Sequence, residues 1–177
     1  MLLTNTNVPT PIWTTHPQEA ELWINDGYQL YARTKLTSKG GEGIVIVSGH
    51  DDLNQLGYCP LFTRQFPTHR EFRVHVVFGQ VLHVLEKKKR RGTNPDPLIR
   101  SHQRNWVFCQ NDLAPIPDIV STTALAAVAA LGLDFGGVDL AIDRYEQPAV
   151  FEVNTAPGLE GTSLLKYTEA FRNQYHV

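Results

Sequence analysis

The amino-acid sequence predicts an α+β fold whose sheets are built from antiparallel hairpins. Two strand-like runs, 28–34 and 43–49, flank a loop that contains three glycines. A second pair of strand-like runs turns at 78–80, and a third pair, 137–143 and 149–155, is joined by the polar turn RYEQP. Helical patterns precede the first hairpin, precede the third and follow the third. The 177 residues are 42% apolar, which is enough to fill a packed core.

The first element is a short helix within TTHPQEAELWINDG. Thr15 is a candidate N-cap, Gln18 follows three residues later as in a capping box, and Pro17 lies in the first turn. Gly27 marks the end of the helix, because glycine readily adopts the left-handed conformation found after a last turn.

A glycine loop, KLTSKGGEG, follows between the strand-like runs YQLYART and GIVIVSG. Glycines at 40, 41 and 43 permit backbone N–H groups to approach an oxyanion closely, so the loop is a candidate phosphate site. It is not a Walker A loop, because the Gly-Lys-Ser/Thr ending and the helix after it are absent. A plain hairpin turn is the other interpretation of this loop.

The hairpin at 78–80 is predicted to have one apolar and one polar face. Its first arm, REFRVHVV, alternates so that the phenylalanine and two valines point one way. Glu71, Arg73 and His75 point the other way. We expect the apolar face to lie in the core.

The second half of the chain begins with a proline-punctuated loop that contains a short strand at 106–109. A helix follows in PDIVSTTALAAVAALGLD, with Asp118 or Ser121 as its cap and Gly132 near its end. A last helix is expected at about 163–173.

The third hairpin brings acidic side chains together. Glu152 and Asn154 are two apart on a strand and therefore share a face, while Phe151 and Val153 are expected in the core. Asp139 can lie opposite the pair. Two carboxylates and an amide oxygen suit Mg²⁺, which bridges to substrate phosphates. Polar residues on a solvated strand face are the alternative for any one of them alone.

Composition excludes several classes of protein. The formal net charge of −2 gives no reason to expect a membrane or nucleic-acid partner. Only Cys59 and Cys109 occur, too few for a disulfide framework or a Cys-based zinc site, and they indicate a reducing, cytoplasmic setting. The sequence has neither a signal-peptide pattern nor an apolar stretch of about 18 residues.

The order of these motifs resembles the ATP-grasp superfamily. The resemblance lies in YARTKLTSKGGEGIVIV, PLFTRQF, EFRVHVVFGQV, GVDLAI and FEVNTAPGLEGTS, and covers roughly 8–170. Within the superfamily, the sequence is similar to the small ligase-type members of phage and bacterial genomes. These are related to the ribosomal-protein glutamate ligase and, more distantly, to D-alanine–D-alanine ligase. The block FEVNTAPG is its most specific part.

The resemblance implies an ATP-grasp fold of two lobes with antiparallel sheets and packed helices, and a nucleotide cleft between them. It implies an ATP- and Mg²⁺-dependent carboxylate–amine ligase that acts through an acylphosphate. Two Mg²⁺ ions are expected, with Mn²⁺ as a substitute. The substrates would be a small-molecule or peptide carboxylate and an amine.

Matching positions imply roles for individual residues. The metal ligands are Asp139, Glu152 and Asn154. The catalytic residues, which contact the transferred phosphoryl group, are Arg73, Arg100 and Asn105. The nucleotide-binding residues fall into four groups. Arg33 or Lys35 stands at the phosphate-binding lysine position, and Lys87 lies near the phosphates. The lid residues are Lys39, Gly40, Gly41 and Gly43, and the adenine-contacting segment contains Thr63, Arg64 and Phe66.

Two departures from the family pattern carry consequences. Full members begin with a further substrate-binding domain, whereas this sequence begins at the family's linker. Three alternatives follow: a partner chain supplies that domain, the two lobes hold the substrate alone, or the chain is a minimal nucleotide-binding protein without ligase turnover. Arg33 stands where the family has a lysine, and arginine is not geometrically equivalent. We expect a linker and helix at 1–28, a small lobe at 29–62 and a large lobe at 63–177.

The sequence leaves two other functions open. The chain could be a non-catalytic or partner-dependent ATP-binding module that has lost its substrate domain. The basic run EKKKRRG, 86–92, could instead contact nucleic acid, although it lacks interleaved aromatics and a solvated loop is the commoner outcome.

Overall fold

The computed structural model describes residues 3, 6–37, 40–111 and 113–176, and the chain divides into two compact units. Unit 1 comprises described residues within 1–10, 67–88 and 108–177, and unit 2 comprises those within 11–66 and 89–107. The predicted linker, small lobe and large lobe are assigned by the roles of the segments and not by compactness. That division of the chain stays a prediction.

Both units contain an antiparallel sheet, as the hairpins predict. The strands are β1 Trp13–Thr14, β2 Leu30–Arg33, β3 Ile44–Val47, β4 Leu61–Arg64, β5 Arg70–Val77, β6 Gln80–Lys89, β7 Trp106–Cys109, β8 Phe135–Ile142 and β9 Pro148–Asn154. The α-helices are α1 Pro17–Asn25, α2 His50–Asn54, α3 Asp118–Ala130 and α4 Thr162–Tyr175, and a short 3-10 helix spans His102–Arg104. The predicted α+β class is confirmed.

Unit 2 has a four-stranded sheet in the order β1-β4-β2-β3. Its core lies between the sheet and α1, where Trp23 packs with Leu30, Val47 and Phe62. All four side chains are at most 4% exposed. The helix α1 ends at Asn25 with Asp26 as its C-cap, and Gly27, the predicted stop, follows with a φ of +83°.

Unit 1 is organised around a five-stranded sheet in the order β7-β6-β5-β8-β9. One face of this sheet packs on α3, whose alanine and valine side chains are small enough to let the helix approach closely. The core of this face consists of Phe72, Val74, Val76, Val138, Leu140, Ile142 and Val150 from the strands and Val120, Ala124, Ala127 and Val128 from α3. The opposite face carries polar residues and contacts α4.

The strand β9 contains a bulge that the sequence pattern did not predict. Asp139 lies opposite Glu152, whereas the next residue, Leu140, lies opposite Val150, so Phe151 is the extra residue. Phe151 is 38% exposed, and the expectation that it lies in the core is wrong. Because of the extra residue, Val150 faces the core while Glu152 faces the polar side.

The helix caps also differ from the prediction. The N-cap of α1 is His16 rather than Thr15, and the N-cap of α3 is Pro117 rather than Asp118 or Ser121. Neither cap residue forms a side-chain hydrogen bond to its helix. The helix α1 begins at Pro17 and α3 begins directly after Pro117, and the fixed φ of proline sets each boundary without a polar cap.

The described residues contain no helix with the length and apolarity that crossing a membrane requires.

Replacing Leu140 by Ala should destabilise unit 1, because the side chain is 0% exposed between α3 and the sheet. We expect a loss of about 3 kcal/mol in the free energy of unfolding, measured by urea titration. Leu165→Ala is the control, since Leu165 is 71% exposed, and it should change stability by less than about 0.5 kcal/mol. Equal effects of the two substitutions would contradict the assigned core.

Candidate functional site

The polar face of the unit 1 sheet carries a row of charged side chains. The register places Arg73 of β5 opposite Asp139 of β8, and Asp139 opposite Glu152 of β9. Directly opposed residues on adjacent strands have neighbouring side chains on the same face. The next row on this face consists of His75, Gly137 and Asn154.

A bidentate ion pair joins the first two residues of the row. Arg73 Nε donates to Asp139 Oδ1 and Arg73 Nη2 donates to Asp139 Oδ2, both at 2.6 Å. The side chains are only 25% and 12% exposed. The hydrogen bonds from this guanidinium to Asp139 raise the pKa of Arg73, and the charges of Glu152 and Glu71 act in the same direction. A half-buried guanidinium therefore neutralises part of an otherwise acidic row.

A second cation lies on the same face. Lys87 Nζ donates to Glu71, and both side chains are nearly buried. The ring of Phe108 on β7 contacts both cations, at 4.6 Å from Arg73 Cζ and 4.9 Å from Lys87 Nζ to the ring centroid. Such contacts favour a cation at a partly desolvated position.

The loop after β9 folds back over the row that contains Asn154. Asn154 Nδ2 donates to the Gly137 carbonyl at 3.4 Å, so its amide oxygen is the atom left for a cation. A Cβ on Gly137 would lie 2.9 Å from Pro157 Cβ. Gly137 must therefore be glycine, because the TAPG segment that contains Pro157 approaches its backbone closely.

Helix α4 closes the polar face beyond this row. His75 Nδ1 lies 3.2 Å from the Tyr167 hydroxyl, and His83 Nδ1 lies 3.1 Å from Ser163 Oγ. His75 is 1% exposed, and this burial, aided by Arg73 and His83, lowers the pKa of His75 to about 4. Burial likewise raises the pKa of Tyr167 to about 12. Both side chains are therefore neutral at pH 7.

In unit 2, the glycine loop rests on the segment that contains Arg100. Gly40 and Gly41 have φ values of +65° and +84°. A Cβ on Gly40 would lie 2.8 Å from Gln103 Oε1, and a Cβ on Gly41 would lie 2.7 Å from Ile99 Cγ2. Glycine is required here by both the backbone conformation and the close packing.

Comparison with known proteins gives matches only among solved structures, since no family model and no curated protein matches the sequence. The D-alanine–D-alanine ligase of Bacillus anthracis superposes with a TM-score of 0.68 at 18% identity, over 97% of this chain and 60% of that chain. The ATP-grasp ligase PsnB, complexed with a minimal precursor, gives 0.65 at 17% identity, over 94% and 56%. The macrocyclase MdnC, bound with precursor peptide MdnA from Microcystis aeruginosa MRC, gives 0.61 at 15% identity, over 99% and 60%.

The chain has the ATP-grasp fold. It spans between 56% and 60% of the length of these three chains.

The predicted metal ligands of this chain have the donor chemistry that Mg²⁺ requires. Asp139 and Glu152 are opposed across two strands, and Asn154 follows on the same face as Glu152. The described residues contain no group of three His, Cys, Asp or Glu side chains placed to hold a metal ion. A site of two carboxylates and one amide oxygen suits an ion that retains several waters, as Mg²⁺ does. The residues therefore fit the ion.

The predicted phosphoryl-contacting residues lie in different units. Arg73 belongs to unit 1, whereas Arg100 and Asn105 belong to unit 2. The Arg100 guanidinium lies 4.7 Å from the centroid of the Trp106 ring. Asn105 adopts a left-handed conformation with φ +67°, and its Nδ2 donates to the Asn94 carbonyl at 3.4 Å.

The predicted nucleotide-binding residues of unit 2 have local partners. Lys35 forms an ion pair with Glu42, and Lys39 lies outside the described residues. Arg33 lies in β2, where its backbone is opposite Ile44 and Leu61. The third glycine, Gly43, has φ +73° and accepts a hydrogen bond from Thr34.

The predicted adenine-contacting segment has its own constraints. Thr63 Oγ1 donates to the Tyr31 carbonyl. The Arg64 guanidinium lies between the rings of Trp23 and Tyr28, at 4.6 Å and 4.0 Å. The backbone N–H of Arg64 donates to the Ile12 carbonyl, so this N–H already has a partner. Phe66 lies just after β4, which ends at Arg64.

Sequence reasoning missed the residues that support the site. Phe108 contacts two site cations but occurs in a short strand far from them in sequence. Ile99 and Gln103 support the glycine loop from a region predicted only as loop. No local pattern reports such contacts, because each depends on the pairing of distant segments. The available signals were the alternation that placed Arg73 and His75 on one face and the spacing of Glu152 and Asn154.

Stability should depend on pH through His75. Its folded pKa lies below the ordinary value of 6.5, so its contribution is present above pH 6.5 and is lost as the pH falls toward 4. Between pH 7.5 and pH 5, we expect the natural protein to lose about 2 kcal/mol more than His75→Gln in urea unfolding. The control His69→Gln, at an exposed position, should behave like the natural protein. Identical pH slopes for all three proteins would contradict the buried neutral His75.

Replacing Gly41 by Ala should disturb the glycine loop more than replacing Gly92 by Ala. Both glycines have positive φ, but only Gly41 has a neighbour, Ile99 Cγ2, in the space of a Cβ. We expect Gly92→Ala to cost about 1 kcal/mol and Gly41→Ala to cost more, measured by thermal or urea unfolding. Adding Ile99→Ala should recover part of the difference. A double variant no better than the sum of the two single variants would show that the contact is unimportant.

Proposed function

We propose that the chain carries the nucleotide-binding part of an ATP- and Mg²⁺-dependent carboxylate–amine ligase. The observation that supports it best is the row of Arg73, Asp139 and Glu152, with Asn154 beside it, on one face of an ATP-grasp sheet. A fold alone does not specify an activity, and a row of this composition is what a metal-assisted phosphoryl transfer needs.

The metal would be held by Asp139, Glu152 and Asn154 in unit 1. Two Mg²⁺ ions are proposed, and Mn²⁺ should substitute, since both ions accept oxygen ligands in octahedral geometry. When bound, the ions neutralise charge on the phosphates of ATP. A related structure of PsnB contains Mg and ADP, and one of the D-alanine–D-alanine ligase contains ATP, which supports the choice of cofactors.

The nucleotide would also be held by residues of unit 2. The backbone N–H groups of Gly40, Gly41 and Gly43 are proposed to contact the phosphates, because glycine lets the backbone approach an oxyanion closely and tolerates the positive φ values of this loop. The cations proposed to assist them are Arg33, Lys35 and Lys39. The segment with Thr63, Arg64 and Phe66 is proposed to contact the adenine.

The chemistry proceeds in two displacements. A carboxylate oxygen of the acid attacks the γ-phosphorus of ATP, the bond to the β-phosphate oxygen breaks, and ADP leaves. The amine then attacks the acyl carbon, and phosphate leaves as the amide forms. Neither step needs a side-chain nucleophile, so positioning and positive charge carry the catalysis. Arg73 and Lys87 in unit 1 and Arg100 and Asn105 in unit 2 are proposed to stabilise the developing oxyanions.

The substrates are proposed to be a carboxylate and an amine of a peptide or small molecule. PsnB and MdnC are complexed with precursor peptides, while the other neighbour is a D-alanine–D-alanine ligase. Because the chain spans about three fifths or less of these proteins, the identity of both substrates and any partner chain that helps to bind them are part of the proposal.

The test of this function is ADP release from Mg-ATP in the presence of pooled carboxylates and amines. A ligase should release ADP only when an acid and an amine are both present. Binding of an ATP analogue without any ADP release would instead identify a non-catalytic nucleotide-binding module. Absence of both binding and release would contradict the proposal.

Glu152→Gln should weaken Mg²⁺-dependent binding of a non-hydrolysable ATP analogue by at least about tenfold, because it removes a proposed ligand's charge. Calorimetric titration with and without Mg²⁺ measures the change. Glu169→Gln is the matched control, since Glu169 is exposed on α4, and it should bind like the natural protein. Unchanged Mg²⁺ dependence in Glu152→Gln would remove Glu152 from the metal site.

A further inference from the structure

We infer that the Arg73 guanidinium acts as an internal counter-cation that Mg²⁺ must displace from Asp139. The inference rests on the proposed function, because it concerns the same metal site. It adds that the metal affinity of the site depends on the nucleotide. The site binds the ion alone weakly and binds the ion together with a nucleotide strongly.

The geometry supports a direct competition. Both carboxylate oxygens of Asp139 accept a hydrogen bond from Arg73, each at 2.6 Å. The Asp139 side chain is 12% exposed, so little of it is open to another ligand from solvent. An ion that binds Asp139 would therefore meet the guanidinium at the same oxygens. Two cations at one partly buried carboxylate repel each other, because screening by water is weak there.

The charges of the neighbouring residues explain why Arg73 remains in this position without metal. Glu152 lies opposite Asp139 in the row that Arg73 begins, so a second carboxylate stands beside the Arg73–Asp139 pair. Lys87 pairs with Glu71. Arg73 is thus the cation that balances Asp139 and Glu152, and its removal would leave two opposed carboxylates with uncompensated repulsion.

A nucleotide changes this balance. Its phosphates are strong acceptors for a guanidinium, so Arg73 can exchange the Asp139 carboxylate for a phosphate while the ion binds Asp139. The ring of Phe108, which contacts both Arg73 and Lys87, offers the guanidinium a surface that favours cations during the exchange. Metal and nucleotide should therefore bind with positive coupling that depends on Arg73.

The experiment is titration of the full chain with Mn²⁺, with and without a non-hydrolysable ATP analogue. Electron paramagnetic resonance measures binding as the loss of the signal of free Mn²⁺. The variants are Arg73→Gln, which removes the guanidinium, and Arg73→Lys, which retains the charge but loses the bidentate geometry. The matched control is Arg70→Gln. Arg70 lies on the same strand and forms a bidentate pair with Glu86, but its guanidinium packs over Phe72, on the face toward α3. Circular dichroism verifies that each variant is folded.

Without nucleotide, Arg73→Gln should bind Mn²⁺ at least about tenfold more tightly than the natural chain, and the analogue should add less to its affinity. The Mn²⁺ affinity of Arg73→Lys should lie between those of Arg73→Gln and the natural chain. A single ammonium competes with the ion less strongly than a bidentate guanidinium does. Arg70→Gln should match the natural chain. If Arg73→Gln does not fold, tighter binding in Arg73→Lys still supports the inference, and binding equal to that of the natural chain overturns it.

Three results would overturn the inference: Mn²⁺ affinity in Arg73→Gln equal to or below that of the natural chain, an equal gain in Arg70→Gln, or no gain in Arg73→Lys. The nucleotide arm separates this failure from failure of the proposed function. If the natural chain binds Mn²⁺ with the analogue, the metal site stands even though Arg73 does not control it. If it binds none in either arm and Arg73→Gln binds none, the site itself is wrong.

Discussion

The register of three neighbouring strands, β5, β8 and β9, determines where the chemically distinctive residues of unit 1 lie. It brings one guanidinium and two carboxylates into a single row, although they come from residues 73, 139 and 152. The bulge at Phe151 is part of this constraint, because it directs Val150 into the core and Glu152 to the polar face. A one-residue slip without the bulge would exchange these faces and bury a carboxylate among valines.

The two faces of the unit 1 sheet differ in chemistry. The face toward α3 is mainly apolar and closely packed, with the Arg70–Glu86 pair beside Phe72, and the face toward α4 contains ion pairs and hydrogen-bonded histidines. Buried ion pairs add little net stability, since desolvation offsets their attraction, so the apolar face is the main source of stability. The polar face can therefore hold charges arranged for binding, because α3 and its partners stabilise the fold independently of them.

Much of this architecture could be predicted from the sequence, and the failures have physical causes. Strict alternation in β5 correctly separated Val74 from Arg73, and the spacing of Glu152 and Asn154 correctly placed them on one face. The bulge at Phe151 was missed because it breaks the period of two by one residue. Thr15 was wrongly assigned as a cap because a neighbouring proline set the helix boundary instead. The support of Gly41 by Ile99 was missed because it depends on tertiary packing.

The composition of unit 2 from two separate stretches, 11–66 and 89–107, has a consequence for synthesis on the ribosome. Its first stretch can be completed only after the long hairpin of β5 and β6 has also emerged, since the second stretch follows that hairpin. The hairpin must in turn wait for β8, β9 and α4, which follow it. Neither unit can thus finish folding as its first segment emerges, which favours slow folding dominated by distant contacts.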